Sequence, residues 1–305
     1  MDALAAFVTL LKPQAIGAKA IHGAGRWGVR YPAFNLPSFA LILKGPCWLA
    51  ADQLPATTLE AGDFVLFSAM PAFTLASDPN VKPTAMDPQP AANQAEDLFH
   101  GDATVEPTVS MLGGYFSLDP INASLLLDCL PRMLRIRTTD RTGGGVPAVV
   151  GLIQQELREE RAGRTLILSR LVEILLVEAL RAAPVDLVTG GLMAGLRDPQ
   201  LAAALRGIHT RTAHPWTLAT LARECAMSRS SFADRFVRVV GLTPLHYLLQ
   251  WRLAVAKDLL TRQQKTVGEA ALAVGYESAS GFSTAFSREV GQSPKEFIGL
   301  HRTAA

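Results

Sequence analysis

The chain has 305 residues, 49% apolar and 18% charged, with a formal net charge of +2. Such a composition argues against disorder, and no apolar run approaches the ~20 residues of a membrane helix. The charge is unevenly spread: residues 206–305 hold 13 Lys and Arg against 7 Asp and Glu, whereas residues 1–205 hold 16 against 20. A basic C-terminal third is what neutralising a phosphate backbone requires. Length alone predicts about two domains. The start, Met1 to Phe7, lacks a basic segment ahead of its apolar part, so no secretory signal is expected and the cytoplasm is the expected compartment. Cys47, Cys129 and Cys225 lie far apart with no CxxC spacing, which indicates neither a disulfide framework nor a zinc cluster.

In chain order, Asp2 is placed to cap a short helix carrying Leu4, Phe7, Val8 and Leu11, ended by Pro13. From Gly25 to about Leu118 the apolar runs are short and punctuated by Gly, Pro, Asn and Asp, the texture of an all-β sandwich or barrel. Residues 78–107 predict a long loop, and 109–118 a late strand broken at Gly113-Gly114. After Gly143-Gly144-Gly145 the period turns helical. Residues 147–161 put Val149, Val150, Ile153 and Leu157 on one face, and residues 165–182 are apolar nearly all round. A helix of the second kind is covered on several sides, either by a second subunit or by its own barrel and neighbouring helix. Residues 184–198, with Gly190-Gly191 and Gly195, predict a linker, and Asp198-Pro199 the start of the next helix.

Residues 217–297 contain one pattern twice. Ser228-x-Ser230-x-Phe232-x-x-x-Phe236-x-Arg238-x-x-Gly241-x-Thr243-Pro244-x-x-Tyr247 returns fifty positions on as Ser278-x-Ser280-x-Phe282-x-x-x-Phe286-x-Arg288-x-x-Gly291-x-Ser293-Pro294-x-x-Phe297. So many shared offsets mark a duplicated supersecondary unit. In each copy a two-turn helix (Leu218, Leu221, Ala222, Cys225; Val267, Ala270, Ala271, Val274) precedes a turn and a second helix capped by Ser228 or Ser278. Gly241 and Gly291 end those second helices. That is helix-turn-helix grammar. Between the copies, 244–261 is an uninterrupted helical pattern of roughly 18 residues, ~27 Å at 1.5 Å per residue. Such a connector suits two recognition helices about one DNA turn apart, ~34 Å.

The expected DNA-contacting set is Arg229, Ser230, Ser231, Ala233, Asp234, Arg235, Arg238, Lys265, Ser278, Ser280, Gly281, Ser283, Thr284 and Arg288. Within it, Arg229, Arg235, Arg238, Lys265 and Arg288 are the expected phosphate anchors. Asp234 suits cytosine N4, and Ala233 or Thr284 a thymine methyl. With so few Arg or Asn in the groove-facing positions, DNA shape is expected to carry a larger share of recognition.

At these residues the chain resembles the AraC/XylS family of transcription regulators. The segment Ala271-x-x-x-Gly275-Tyr276-x-Ser278 through Ser293-Pro294-x-x-Phe297 follows that family's signature over roughly the last 100 residues. It departs at Thr284, where Arg or Lys is common, and at Ile298 and Gly299. Upstream, Gly45-x-Cys47-Trp48-Leu49, Leu59-x-x-Gly62-Asp63 and His214-Pro215-Trp216-Thr217 resemble the branch with a cupin-type sensor. The resemblance implies an α+β multidomain protein: a cupin-like sensor domain over 1–142, a helical dimerisation or packing segment over 143–183, a linker over 184–198 and a double helix-turn-helix domain over 199–305. It also implies double-stranded DNA, a small-molecule effector, a second copy of the chain and RNA polymerase as partners.

The alternative is a cupin-derived enzyme fused to a DNA-binding module. Cupin enzymes hold a metal with two or three His and a Glu, whereas here only His22 and His100 precede residue 209. No metal, cofactor or catalytic residue is therefore expected. Trp27, Phe39, Trp48, Phe64 and Phe67 are candidates to line an apolar effector pocket, although aromatic residues on strands more often form plain core. Cys47 and Cys129 read either as oxidant sensors or as small buried hydrophobes.

Overall fold

The computed structural model describes residues 2–34, 36–86, 97–119, 121–122, 132–137, 144–159, 161–182 and 191–302. They divide into two compact units, one of Pro13–Ser117 with Pro131–Leu187, the other of Met1–Lys12, Leu118–Leu130 and Val188–Ala305.

The first unit is built on strands β1 (Gln14–Ala24), β2 (Gly28–Tyr31), β3 (Ser38–Lys44), β4 (Cys47–Ala51), β5 (Thr57–Leu59), β6 (Asp63–Phe67), β7 (Phe73–Ala76), β8 (Thr84–Ala85), β9 (Leu98–Gly101), β10 (Val109–Ser117) and β11 (Met133–Arg137). Six form a sheet in the order β11-β6-β3-β10-β1-β9, and five a second in the order β5-β4-β7-β2-β8. The barrel expected from the short apolar runs is thus two sheets rather than one closed cylinder. In the larger sheet Lys19 pairs with Gly113, Gly113 with Ala40 and Ala40 with Val65. Because side chains alternate along each strand, that row and the rows two residues away share one face.

Strand β10 runs unbroken through Gly113-Gly114. A Cβ at Gly113 would stand 2.8 Å from Ile21 Cδ1, and one at Gly114 2.9 Å from Phe39 Cζ, so these glycines permit close approach and do not break the strand. The expected loop over 78–107 holds β8 and β9, and β9 extends the large sheet in parallel from Ile21↔Leu98 to Ala24↔Gly101. Strands β1 and β11 lie outside the stretch read as β from sequence.

Among the described residues two helices complete this unit, α2 (Val146–Arg158) and α3 (Arg164–Ala182). Helix α3 buries Leu168, Val172, Leu175, Leu176 and Ala179, while Glu173 accepts from the Ala15 amide at 3.4 Å and Glu178 from the Gly145 amide at 3.1 Å. Leu166, Ile167 and Ile174 of α3 and Leu152 of α2 are exposed.

The second unit is helical. Its helices are α1 (Ala3–Leu11), α4 (Gly191–Arg197), α5 (Ala202–Thr210), α6 (Leu218–Glu224), α7 (Arg229–Val240), α8 (Pro244–Thr261), α9 (Val267–Ala273), α10 (Ala279–Val290) and α11 (Pro294–Arg302). Helix α4 occupies residues 191–197 of the stretch expected as linker, whose residues 184–190 lie outside the described residues; Leu192 and Met193 are buried, and a Cβ at Gly195 would meet Leu205 Cδ1 at 2.4 Å. Helix α1 is capped as expected, with the Asp2 carboxylate accepting from the Ala5 amide at 2.8 Å. Although first in the chain, it packs Phe7, Leu10 and Leu11 into the core of Leu205, Leu221, Phe232, Phe236 and Trp251. A second core gathers Leu253, Leu260, Ala271, Phe282, Phe286 and Phe297, so α8 supplies side chains to both.

Polar contacts bind α8 to the chain's earliest helix and to residues 119–122. Lys12 pairs with Asp258 at 2.6 Å, Arg262 with the buried Asp119 at 2.6 Å, and Asn122 Nδ2 donates to the Ala254 carbonyl at 3.2 Å. Nearby His209 lies flat on Trp251, with ring centroids 3.8 Å apart, and meets the Tyr247 hydroxyl at 2.8 Å. Burial lowers its pKa to about 4, only partly offset by the Ala3 carbonyl at 3.2 Å from Nδ1.

Candidate nucleic-acid interface

The two copies of the repeat fold alike, for reasons visible residue by residue. Helix α6 begins with a capping box in which the Thr217 hydroxyl accepts from the Thr220 amide at 3.1 Å and the Thr220 hydroxyl from the Thr217 amide at 2.8 Å. Helix α9 repeats it with Thr266 and Glu269, whose carboxylate accepts the Thr266 amide and hydroxyl at 2.8 Å each and is held below the usual carboxylate range by them. The turns that follow span 225–228 and 274–278, one residue longer in the second copy as the spacing predicts. Helices α7 and α10 are then capped equivalently, by Ser228 on the Ser231 amide (3.2 Å) and by Ser278 on the Gly281 amide (3.1 Å). Both end on left-handed glycines, Gly241 at φ 84° and Gly291 at φ 81°.

Helix α7 buries Phe232, Phe236 and Val240, and α10 buries Phe282 and Phe286. Most of the expected set remains outward, together with Val237. Arg229, Ser230, Ser231, Asp234 and Arg238 are exposed, with Ala233 half-buried, on α7; Ser278, Ser280, Gly281, Thr284 and Arg288 are exposed, with Ser283 half-buried, on or before α10. Lys265 is exposed just ahead of α9. The Ser283 hydroxyl donates to the Ala279 carbonyl at 2.7 Å and that of Thr284 to Ser280 at 3.1 Å, which leaves each an outward acceptor. Arg288 is turned toward Glu289 at 2.9 Å.

Arg235 differs from the other expected anchors. Its guanidinium pairs with Asp198 at 2.8 Å, with Nε 3.0 Å from the same carboxylate. Burial of Asp198 favours the neutral acid, but Arg235 and the Gln200 and Leu201 amides outweigh it and hold the carboxyl below its ordinary range. Arg235 therefore fastens α7 to the turn ahead of α5, and its charge faces a carboxylate rather than solvent.

The relation between the two copies depends on a residue that the sequence pattern did not single out. Arg252, midway along α8, donates to the Thr212 carbonyl at 3.1 Å and the His214 carbonyl at 2.7 Å, and lies over the Tyr276 ring at 6.0 Å. Gly275, at φ 84°, rests against the same loop, where a Cβ would stand 2.5 Å from the Ala213 carbonyl oxygen. The lead-in to the first copy and the turn of the second thus meet on one side chain of the connector. No local signal marks Arg252, because its partners lie 38 and 40 residues upstream.

In the β unit, Phe39 and Phe67 border a cavity between the sheets, whereas Trp27, Trp48 and Phe64 do not. Alternation explains Phe64, which points away from the face shared by Val65 and Phe67 and lies near Phe39 with centroids 6.4 Å apart. Trp27 stacks on His100 at 5.6 Å. Cys47 is buried, and burial pushes its thiol up to about 12. Cys129 lies outside the described residues. His22 Nδ1 meets the Ser110 hydroxyl at 2.9 Å, but its Nε2 is 3.8 Å from an exposed Asp97, too far for a proton relay. Among the described residues no group of three or more His, Cys, Asp or Glu could hold a metal ion, and no helix is long and apolar enough to cross a membrane.

A β-rich sensor-like unit joined to two helix-turn-helix motifs defines a DNA-binding transcription regulator, and comparison with known proteins agrees. A cupin family profile matches residues 2–183 and a helix-turn-helix domain profile matches 221–299. The chain is 34% identical over 310 residues to a putative AraC-like transcription regulator of Streptomyces lividans, covering 97% of this chain and 98% of that one. It is 33% identical over 285 residues to the HTH-type transcriptional regulator AlkR of Acinetobacter baylyi, covering 90% and 91%. Among solved structures, the DNA-binding domain of AdpA in complex with a target DNA is 28% identical, with a TM-score of 0.33, over 34% of this chain and 95% of that one. The chain belongs to the AraC-type transcription regulators with a cupin N-terminal domain.

Proposed function

We propose that the two helix-turn-helix motifs enter successive major grooves of one DNA segment, with α7 and α10 as the recognition helices. The supporting observation is the Arg252 seam, which joins the two motifs across the 18-residue α8. In this reading Arg229, Arg238, Lys265 and Arg288 hold phosphates. Ser230, Ala233, Asp234, Ser280, Ser283 and Thr284 face the bases. Ser228 and Ser278 caps present the first turns of both helices to the phosphate backbone. Arg235 serves the scaffold.

The β unit is the sensing part, with the cavity between its sheets as the effector site. The exposed Leu166, Ile167 and Ile174 of α3 are the contact with a second copy. The protein acts in the cytoplasm, where DNA and RNA polymerase are met, and it is not an enzyme.

The test is the salt dependence of full-length protein binding to a 30-base-pair duplex. The logarithm of affinity should fall steeply with the logarithm of salt concentration, and Arg229→Ala or Arg238→Ala should each lower the slope by about 1. Binding indifferent to salt, or slopes unmoved by both substitutions, would contradict the placement of α7 on the DNA.

A further inference from the structure

The cavity between the sheets has a chemistry narrow enough to limit its ligand. It measures about 110 Å³. Of its nineteen lining residues, only Lys19, Tyr31, Ser38 and Tyr115 carry a side-chain nitrogen or oxygen. Three of these are already engaged: the Ser38 hydroxyl donates to the Leu36 carbonyl at 3.1 Å, the Tyr31 hydroxyl meets His100 Nε2 at 3.1 Å, and Lys19 has a partner of its own. Lys19 and Tyr115 are half-exposed, whereas, apart from the engaged Tyr31 and Ser38 hydroxyls, the buried wall is carbon and the thioethers of Met70 and Met111.

A sugar or other polyol placed there would leave several hydroxyls desolvated and without partners. An apolar molecule gains in proportion to the surface it removes from water. The scale is set by a dry apolar cavity of about 150 Å³ in another protein, which takes up benzene. Unbranched methionines let such walls yield a little to larger guests. Size is further set by Gly113, since a Cβ there would stand 2.8 Å from Ile21 Cδ1.

We propose that the cavity takes an apolar small molecule of about one ring or one short chain, with at most one polar group, held toward the half-exposed Tyr115. This rests on the reading of the β unit as the sensor, and the test separates the two. Full-length protein is titrated with benzene, n-hexanol, glucose and glycerol. Thermal melting and affinity for a DNA duplex are both recorded, for the natural chain and for Ala40→Leu, which adds bulk to the cavity wall.

The expected result is a saturable rise in melting temperature of a few degrees with benzene or n-hexanol. Neither glucose nor glycerol should produce it, DNA affinity should change on apolar binding, and a folded Ala40→Leu should lose the response. The selectivity of the natural chain decides the matter even if the variant does not fold. A response to glucose or glycerol but to neither apolar probe would overturn the ligand class and keep the sensing role. Apolar binding with unchanged DNA affinity would keep the class and remove the sensing role. No response to any probe, or one that persists in a folded Ala40→Leu, would overturn the proposal.

Discussion

Gly275 and Ala213 are in contact through the backbone, close enough that a Cβ on Gly275 would overlap the Ala213 carbonyl oxygen at 2.5 Å. Gly241 and Gly291 share its left-handed φ but have nothing within 4 Å of the same position. The three glycines therefore separate the cost of backbone conformation from the cost of contact. Gly241→Ala or Gly291→Ala should lose about 1–2 kcal/mol, the penalty of a left-handed non-glycine residue. Gly275→Ala should lose clearly more and weaken DNA binding as the second motif shifts, measurable by chemical denaturation and a DNA titration.

Arg235 and Arg238, three residues apart on one helix, should behave oppositely. Arg235→Ala leaves the Asp198 carboxylate short of its main partner and should cost about 1–3 kcal/mol of stability. Its DNA affinity should be little changed in whatever fraction stays folded. Arg238→Ala should leave melting unchanged and lower affinity equally on preferred and random DNA. Selective loss on the preferred sequence would instead make Arg238 a base reader.

His209 predicts an acid limb of stability. Its pKa is depressed in the fold to about 4 from the ordinary 6.5, so between those values the unfolded chain binds the extra proton and the folded one does not. Stability from this group is complete above about pH 6.5 and declines as pH falls toward 4. Denaturation measured across that window should show the decline, and His209→Gln, which cannot take the proton, should flatten it.

Cys47 should be inert in the folded protein. A buried thiol pushed up to about 12 offers almost no thiolate at neutral pH, and the thiolate is the species that reacts. Thiol-reagent kinetics on a Cys129→Ser, Cys225→Ser chain should show labelling only after denaturation. Rapid labelling of the native chain would restore an oxidant-sensing role.

The C-terminal unit was legible because its signals are local. Ser228, Thr243-Pro244, Gly241 and their partners fifty positions on fix helix ends through neighbours three or four residues away. The β unit was less so. Strand β9 pairs with β1 across more than seventy residues, and the glycines of β10 mark close approach, which in a single chain reads the same as a break. Helix α4 lies among glycines that suggest a linker, because Gly195 is small for the sake of Leu205 and not for flexibility. The outward face of α7 was visible from periodicity, yet the pairing of Arg235 with Asp198, 37 residues away, was not. Long-range partners decide which exposed-looking charges are available to DNA.

The most direct test of the central claim is selection of bound sequences from a random duplex library by the full-length protein. Two rigidly joined motifs should yield two conserved blocks whose centres lie about 10 base pairs apart, at fixed spacing. A single block, or two blocks at freely varying distance, would contradict the paired reading of successive grooves.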